Sequence, residues 1–460
     1  IGHLRSAVIG DAIKRMLLQF GYKAVSDTHV GDWGTQFGII LLGCKEFFAE
    51  VGAKGAVSMH PFEFYEDIYI KENARIAEDP QRRELAKEEF AKLERAKLKR
   101  TKGVKLDGAE KQNIEIWENI VKQSMFALEA SAKRLELLDF EEHRGESAYE
   151  EAMPQVVEFV QAKLENRVKP AKNKEIIVGL SDEGLDEAVL VKSDGASTYL
   201  LRDLATIQYR KEKWDFWKNL YIVDVRQEHH FRQVFRVAEL LGFEGVGESQ
   251  HVEFGFMSLP EGAMSTRKGT AISLDAVLDE AEKRALAVIK EKNPDLENAE
   301  AVAHTVGIGA LKYFDLSHHR KSDIIFKWDE ALSFEGNTGP YLQYTHARLR
   351  SIVRKVENYY AFDDEINKKP ELDEEEHRLL VSLLRLPEAV EGALVDFTPN
   401  TLANYLFVFA QRANEFYHSH PVFKEPDPTK LKFRFELVSA ATTNLKNGLW
   451  CLGIDAPEEM

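Results

Sequence analysis

The chain has 460 residues, 44% of them hydrophobic and 30% charged, with a net charge of −16. This is the composition of a soluble globular protein with a large core and about two to four domains. No apolar run nears the roughly 20 residues that cross a bilayer. The two cysteines, Cys44 and Cys451, form no metal-spaced pair; a disulfide framework is not expected, and the cytoplasm is the expected compartment. Mean charge disfavours a polyphosphate partner, although a local basic face can coexist with it.

The chain opens Ile1-Gly2-His3 ahead of a helix over 4–20. There Leu4, Ala7, Val8, Ala12, Met16 and Leu17 recur near 3.6-residue spacing, and Gly21 is the expected stop. A strand over 22–27 precedes a run punctuated by Gly31, Gly34 and Gly38. Helix, strand, turn and helix make half of a nucleotide-binding α/β unit. Residues 61–100 are charged and helical, ending in Arg95, Lys97, Lys99, Arg100, Lys102 and Lys105. That cluster is either a solvated helix face or an RNA phosphate contact. A further amphipathic helix covers 109–138. Residues 146–190 read as an insertion, with Lys169, Lys172 and Lys174 in a loop. Strand-like runs at 189–191, 220–225 and 252–257 alternate with helices near 199–212 and 229–241. This rhythm completes a parallel sheet after long interruptions. From 334 onward the pattern is helical, over 339–361, 373–396, 399–418 and 430–450, and reads as a separate bundle.

Five constellations carry possible chemistry. Gly2 permits close backbone approach, and a helix start offers N–H groups and a positive dipole end to phosphate. The loop from Gly262 to Gly269 holds Met264, Ser265, Arg267 and Lys268, hydroxyl and cation together, suited to charge building on phosphates. Tyr199 and Asp203 stand four apart on one helix face. A buried carboxylate beside a phenol suits a guanidinium; the alternative is internal pairing of Asp203 with Arg202 or Arg210. Arg226, Gln227, His229 and His230 follow a strand, where ligands of open α/β sheets bind. The two histidines lack a third ligand at metal spacing. Lastly, a turn at 336–340 precedes a helix with Tyr341, Gln343, Tyr344, His346 and Arg348, aromatic and basic groups suited to stacking and phosphate contact, or to core packing.

The order of these motifs is what identifies a family. Gly-His-Leu-Arg-Ser, Gly-Asp-Trp-Gly-Thr-Gln-Phe-Gly, Ser-Asp-Gly with Tyr-Leu-Leu-Arg-Asp, Arg-Gln before His, Met-Ser-Thr-Arg-Lys-Gly and Asn-Thr-Gly-Pro-Tyr-Leu-Gln-Tyr occur in sequence. Across its whole length the chain resembles the arginyl-tRNA synthetases, class I aminoacyl-tRNA synthetases. The resemblance implies an α/β Rossmann-type catalytic domain with helical insertions, followed by an all-α anticodon-binding bundle. The implied divisions are 1–45 (first Rossmann part), 46–115 (helical insertion), 116–145 (catalytic continuation), 146–190 (second insertion), 191–270 (second Rossmann half), 271–333 (helical connector) and 334–460 (anticodon-binding domain). It also implies ATP-dependent activation of L-arginine to arginyl-adenylate and transfer to the terminal adenosine of tRNA(Arg). Mg2+ accompanies the ATP, and no structural metal is expected.

By the same resemblance Gly2 and His3 end a His-x-Gly-His signature that contacts ATP. Met264, Ser265, Arg267 and Lys268 match the second signature, with His3, Ser265, Arg267 and Lys268 catalytic and His230 near the nucleotide. Tyr199, Asp203 and Gln227 match arginine-binding residues. Tyr341, Gln343, Tyr344, Arg348 and Asn414 fall in the tRNA-binding helices. Ala263 and Thr266 stand where the second signature usually has lysines, leaving Arg267 and Lys268 to supply the charge. The first signature opens without its leading half, which makes an N-terminally truncated enzyme the expectation and a tRNA-binding fragment without catalysis the alternative. A monomer is implied, with neither DNA nor a membrane as partner.

Overall fold

A computed structural model describes residues 2–51, 61–169, 173–193, 195–258, 260, 273–360 and 370–460, residues 2 and 3 by backbone alone. Helix α1 (Gly2–Gln19) buries Leu4, Val8, Ile9, Ala12, Ile13 and Met16. Its spacing produces that stripe, and Gly21 ends the turn after it at φ 78°. Strand β1 is Asp27–Val30, later than the 22–27 expected. Strand β2 (Glu142–Gly145) decides this: it pairs parallel to β1 with Asp27 opposite Glu142 and Val30 opposite Gly145. A strand this short follows its partner more than its own propensity. Tyr22 stays at the surface, stacked on Trp217.

Between β1 and β2 lie helices α2 (Thr35–Glu50), α3 (Phe62–Glu78), α4 (Gln81–Thr101) and α5 (Gly108–Arg134). They share a core built on Trp33, Phe37, Leu41, Phe90, Leu93 and Ile114. Helices α2 and α4 meet backbone to backbone, since a Cβ on Gly38 would stand 2.0 Å from the Ala86 carbonyl oxygen. A reciprocal cap between Asp107 and Glu110 starts α5. From there the buried stripe continues through Ile114, Ile116 and Ile120. The divisions expected at 45/46 and 115/116 therefore fall inside α2 and α5, because each helix packs as a unit.

Helix α6 (Met153–Lys163) leads to an antiparallel hairpin, β3 (Ile176–Val178) with β4 (Ala188–Val191). Helix α7 (Tyr199–Trp214), β5 (Asn219–Tyr221), α8 (Glu228–Leu241) and β6 (Ser249–His251) follow, with β5 and β6 parallel. Strand β7 (Met257–Ser258) precedes α9 (Leu274–Lys292) and α10 (Ala299–Leu316), and pairs parallel with β8 (Ile324–Ile325), just before α11 (Trp328–Ala331). The segment expected as a helical connector thus returns a strand. Among the described residues the parallel strands form three separate pairs, not one continuous sheet. Side chains span the gaps: Ser6 Oγ donates to the Ile222 carbonyl at 2.6 Å.

The C-terminal bundle comprises α12 (Gly339–Tyr359), α13 (Glu374–Leu383), α14 (Leu386–Val395), α15 (Asn400–Ser419) and α16 (Pro428–Cys451). The single helix expected over 373–396 is two. Pro387, in the first turn of α14, has no N–H for a continuous ladder. One apolar core runs from α1 through α9 and α10 into this bundle. Where they meet, Asp11 Oδ2 accepts from Arg15 Nε at 2.7 Å, and Arg15 donates to the Glu136 carbonyl at 2.8 Å. Lys312 of α10, 1% exposed, donates to the carbonyl of Gly453, just beyond α16.

Burial holds the Lys312 ammonium down to about 8, while Asp11 and Glu136 pull the other way. In the unfolded chain the same group keeps its proton to about 10.5, so folding confines a disfavoured charge below pH 8. That cost relaxes as pH climbs between the two values, where the unfolded state binds more protons. Relative to Lys312→Met, wild-type stability should therefore rise by about 3 kcal/mol across that alkaline window and stay level below it. Urea unfolding of both proteins over pH 7–11 reads the difference, and a level difference throughout would contradict it.

Candidate active site

The carboxyl ends of β1, β2 and β5 bring one set of polar groups together, as expected for an α/β ligand site. Thr198 fastens the start of α7 to the hairpin by donating from Oγ1 to the Val189 carbonyl at 2.7 Å. Tyr199 then opens the helix, 55% exposed, and Asp203 lies one turn on, 8% exposed. Asp203 Oδ2 is hydrogen-bonded to His230 Nε2 at 2.6 Å, and Oδ1 lies 3.8 Å from His29 Nε2. Burial lowers the pKa of His29, favouring its neutral form.

The internal pairing weighed for Asp203 is not what forms. Arg202 donates from Nη1 to Glu146 Oε2 at 2.8 Å, and its guanidinium lies over the Tyr199 ring at 5.2 Å. Arg210 makes a two-pronged pair with Asp27, both bonds 3.0 Å. Each neighbouring guanidinium has its own carboxylate, and Asp203 is left to two imidazoles. Gln227 sits exposed at the N-cap of α8, three residues before His230.

Sequence reasoning missed three members of this site. His29 was hidden because the strand was placed too early. Glu146 follows β2 directly, and burial pushes its carboxyl up to about 7; Arg202 opposes this, while Asp203 and Asp32 add to it. Asp32 closes the ends of β1 and β2, accepting from Ser147 N at 2.8 Å and Ser147 Oγ at 2.7 Å. A Cβ on Gly145 would lie 2.2 Å from the Asp32 carboxyl carbon, so that position admits only glycine. The Gly31–Gly38 run contained a signal for Asp32, but nothing local pointed to Glu146.

Gly2 and His3 form the first turn of α1, at the level where that helix meets the strands. Their side chains lie outside the described residues, as do Met264, Ser265, Arg267 and Lys268.

A second cluster lies on the bundle. Arg348 Nη1 donates to Asn414 Oδ1 at 3.0 Å, and Asn414 Nδ2 donates to Tyr341 Oη and Thr345 Oγ1, both at 3.0 Å. The Arg348 guanidinium lies 4.7 Å from the Tyr344 ring and 5.3 Å from that of Tyr417. Gln343 departs from expectation. It is 0% exposed, and its Nε2 donates to the carbonyls of Thr305 and Asp455 at 3.1 and 2.8 Å. Its place three residues before His346, also buried, puts it on the face toward α10, so it holds the bundle together and does not face a partner. In the basic cluster at the end of α4, Lys97 Nζ lies over the rings of Trp33 and Trp117 at 4.5 and 5.1 Å, Lys99 pairs with Glu110 and Arg100 with Glu118, while Arg95, Lys102 and Lys105 are exposed.

The catalytic domain of class I tRNA synthetases for arginine matches residues 1–328, and the DALR anticodon binding domain matches 342–460. The arginine–tRNA ligase of Fusobacterium nucleatum is 37% identical over 464 residues, covering 100% of this chain and 77% of that protein. That of Halothermothrix orenii is 34% identical over 461 residues, with the same coverage. Among solved structures, the Thermus thermophilus arginyl-tRNA synthetase superposes with a TM-score of 0.79 at 26% identity, over 100% of this chain and 80% of the other. The Plasmodium falciparum arginyl-tRNA synthetase shares the fold, with a TM-score of 0.80 at 24% identity, over 100% and 74%.

The elevated Glu146 pKa makes a stability prediction. Its folded value near 7 exceeds the ordinary 4.5, so the native state holds the proton more tightly and stability owed to Glu146 is lost as pH rises between them. Glu146→Gln lacks that loss. The variant should gain on wild type from pH 4.5 to 7 and hold a constant offset above, as thermal melting at stepped pH will read.

Proposed function

Because the chain belongs to the arginyl-tRNA synthetases, class I enzymes with a helical DALR domain, and is an arginine–tRNA ligase, we propose that Asp203 is its arginine receptor. The observation that carries this is a nearly buried carboxylate at the strand ends that no described guanidinium of the chain occupies. An arginine side chain entering there meets Asp203 with Tyr199 at the mouth and Glu146 behind, while Gln227 takes the amino-acid end. A guanidinium about 4 Å from the carboxylate gains roughly 4 kcal/mol at an effective dielectric near 20. His230 holds the carboxylate by its hydrogen bond, and His29, whose burial favours the neutral form, stands 3.8 Å from it.

The chemistry follows the family reaction. The arginine carboxylate attacks the α-phosphorus of ATP, forming arginyl-adenylate and releasing pyrophosphate. A ribose hydroxyl of the terminal adenosine of tRNA(Arg) then takes the arginyl group and AMP leaves. We assign Gly2, His3 and His230 to the nucleotide, and Met264, Ser265, Arg267 and Lys268 to the charge that builds on the phosphates. Mg2+ comes with ATP, and no side chain is assigned to it. The Tyr344–Arg348–Tyr417 stack, braced by Asn414 and Tyr341, is the proposed tRNA contact, supported by the sequence-tolerant affinity of rings and guanidinium for bases. A cytoplasmic setting fits two cysteines that are both buried and unpaired; the monomeric state is the one the family resemblance implies.

Two tests follow. Asp203→Asn should abolish arginine-dependent ATP–pyrophosphate exchange while sparing ATP binding, and citrulline should be rejected by a factor on the order of 10⁴. Exchange at the wild-type rate in that variant would remove Asp203 from the pocket. Arg348→Ala should raise KM for tRNA about tenfold, the loss of one stacking contact, and leave KM for arginine unchanged.

A further inference from the structure

Arg5 is fully buried two residues after His3, and the reaction assigned above makes no use of it. Its guanidinium is held on every side. Nε donates to Asp315 Oδ1 of α10 at 2.9 Å. Nη1 donates to the carbonyls of Gly255 at 2.7 Å and Ser322 at 3.1 Å, and Nη2 to that of Arg320 at 3.2 Å. Asp315 is equally buried, 0% exposed at its side chain. Gly255 lies two residues before β7, and Ser322 two before β8. A Cβ on Gly255 would stand 2.5 Å from the Ser322 carbonyl oxygen, so the two chain segments already touch where Arg5 binds them. One planar fork therefore joins the first turn of α1, the lead-ins to both strands of the β7–β8 pair, and α10.

Burying this ion pair is a poor route to stability, since well-packed apolar side chains of similar volume commonly do as well or better. Its geometry does something an apolar pair cannot. Four directed bonds fix the rotation and depth of the α1 start against the strand layer. The N–H groups of that first turn point where the helix start aims. Resting on the reading that Gly2 and His3 contact ATP, we propose that Arg5 is a positioning residue for adenylate formation, holding the nucleotide-facing turn of α1 in register with the strands around it. Lysine cannot replace it, having three donors from one point where four bonds to separated acceptors are needed.

The test uses the full chain with tRNA present. In Arg5→Met/Asp315→Leu the pair is exchanged for apolar packing. The variant should stay folded, its thermal midpoint lowered only by the Gly255 and Ser322 carbonyls that lose their donor, while kcat for ATP–pyrophosphate exchange falls about 100-fold, the usual penalty of an ångström-scale misplacement, with KM for arginine unchanged. Arg5→Lys, which keeps the charge opposite Asp315, must show the same split, and it carries the test if the double variant does not fold. A folded variant with wild-type kcat and wild-type KM for ATP would overturn the proposal and leave Arg5 a packing element. His3→Ala is measured in parallel. If it leaves ATP kinetics untouched, the assignment of the α1 turn to ATP fails, whereas a damaged His3→Ala beside an intact Arg5→Lys rejects the positioning role alone.

Discussion

The buried ion pair between Arg5 and Asp315 is the constraint around which the molecule is arranged. Removing either partner would leave the other charged and dry, at a cost of roughly 3–5 kcal/mol, so neither end of the contact is free to move alone. Through it α1 is tied to the strand layer and to α10. Further along the same helix Asp11 and Arg15 reach the Leu138 and Glu136 backbone, and the core beside them continues into α16. Helix α1 thus has a polar anchor near its start and another in its middle. The catalytic half and the bundle share it as a common wall.

The proposed arginine pocket shows how a site flanked by the protein's own arginines can stay open to a free one. Asp203 on α7 shares its helix with Arg202 and Arg210, and either could have filled the site from within. Glu146 takes the first and Asp27 the second. The cost of that arrangement is a crowded acidic neighbourhood, visible in the Glu146 carboxyl pushed up to about 7. The gain is a carboxylate hydrogen-bonded by the His230 imidazole, with that of His29 3.8 Å away, neither competing for it as a guanidinium would.

Legibility in the sequence followed the range of the interaction concerned. The helices α1, α7, α8 and α12 were readable because their buried stripes repeat every 3.6 residues along one stretch of chain. Tyr199 and Asp203 were readable because four residues of helix put them on one face. The runs at 189–191 and 220–225 overlap β4 and β5, but β1 was misplaced, since a four-residue strand takes its position from β2, more than a hundred residues away. Pro387 was a local signal that the long acidic helix would break, and its meaning became plain only once α13 and α14 turned about it.

The sequence by itself determined the family, the helical bundle, and the carboxylate proposed to recognise the substrate, because each is written in local spacing or in the order of short motifs. Tertiary structure alone decided which side chains those motifs must share space with. It turned Gln343 inward to the carbonyls of Thr305 and Asp455, brought Glu146 behind Asp203, and set Arg5 against backbone that lies some 250 to 320 residues away. Hydrogen bonds and burial act across space regardless of position in the chain, and no reading of neighbours along the sequence contains those distances.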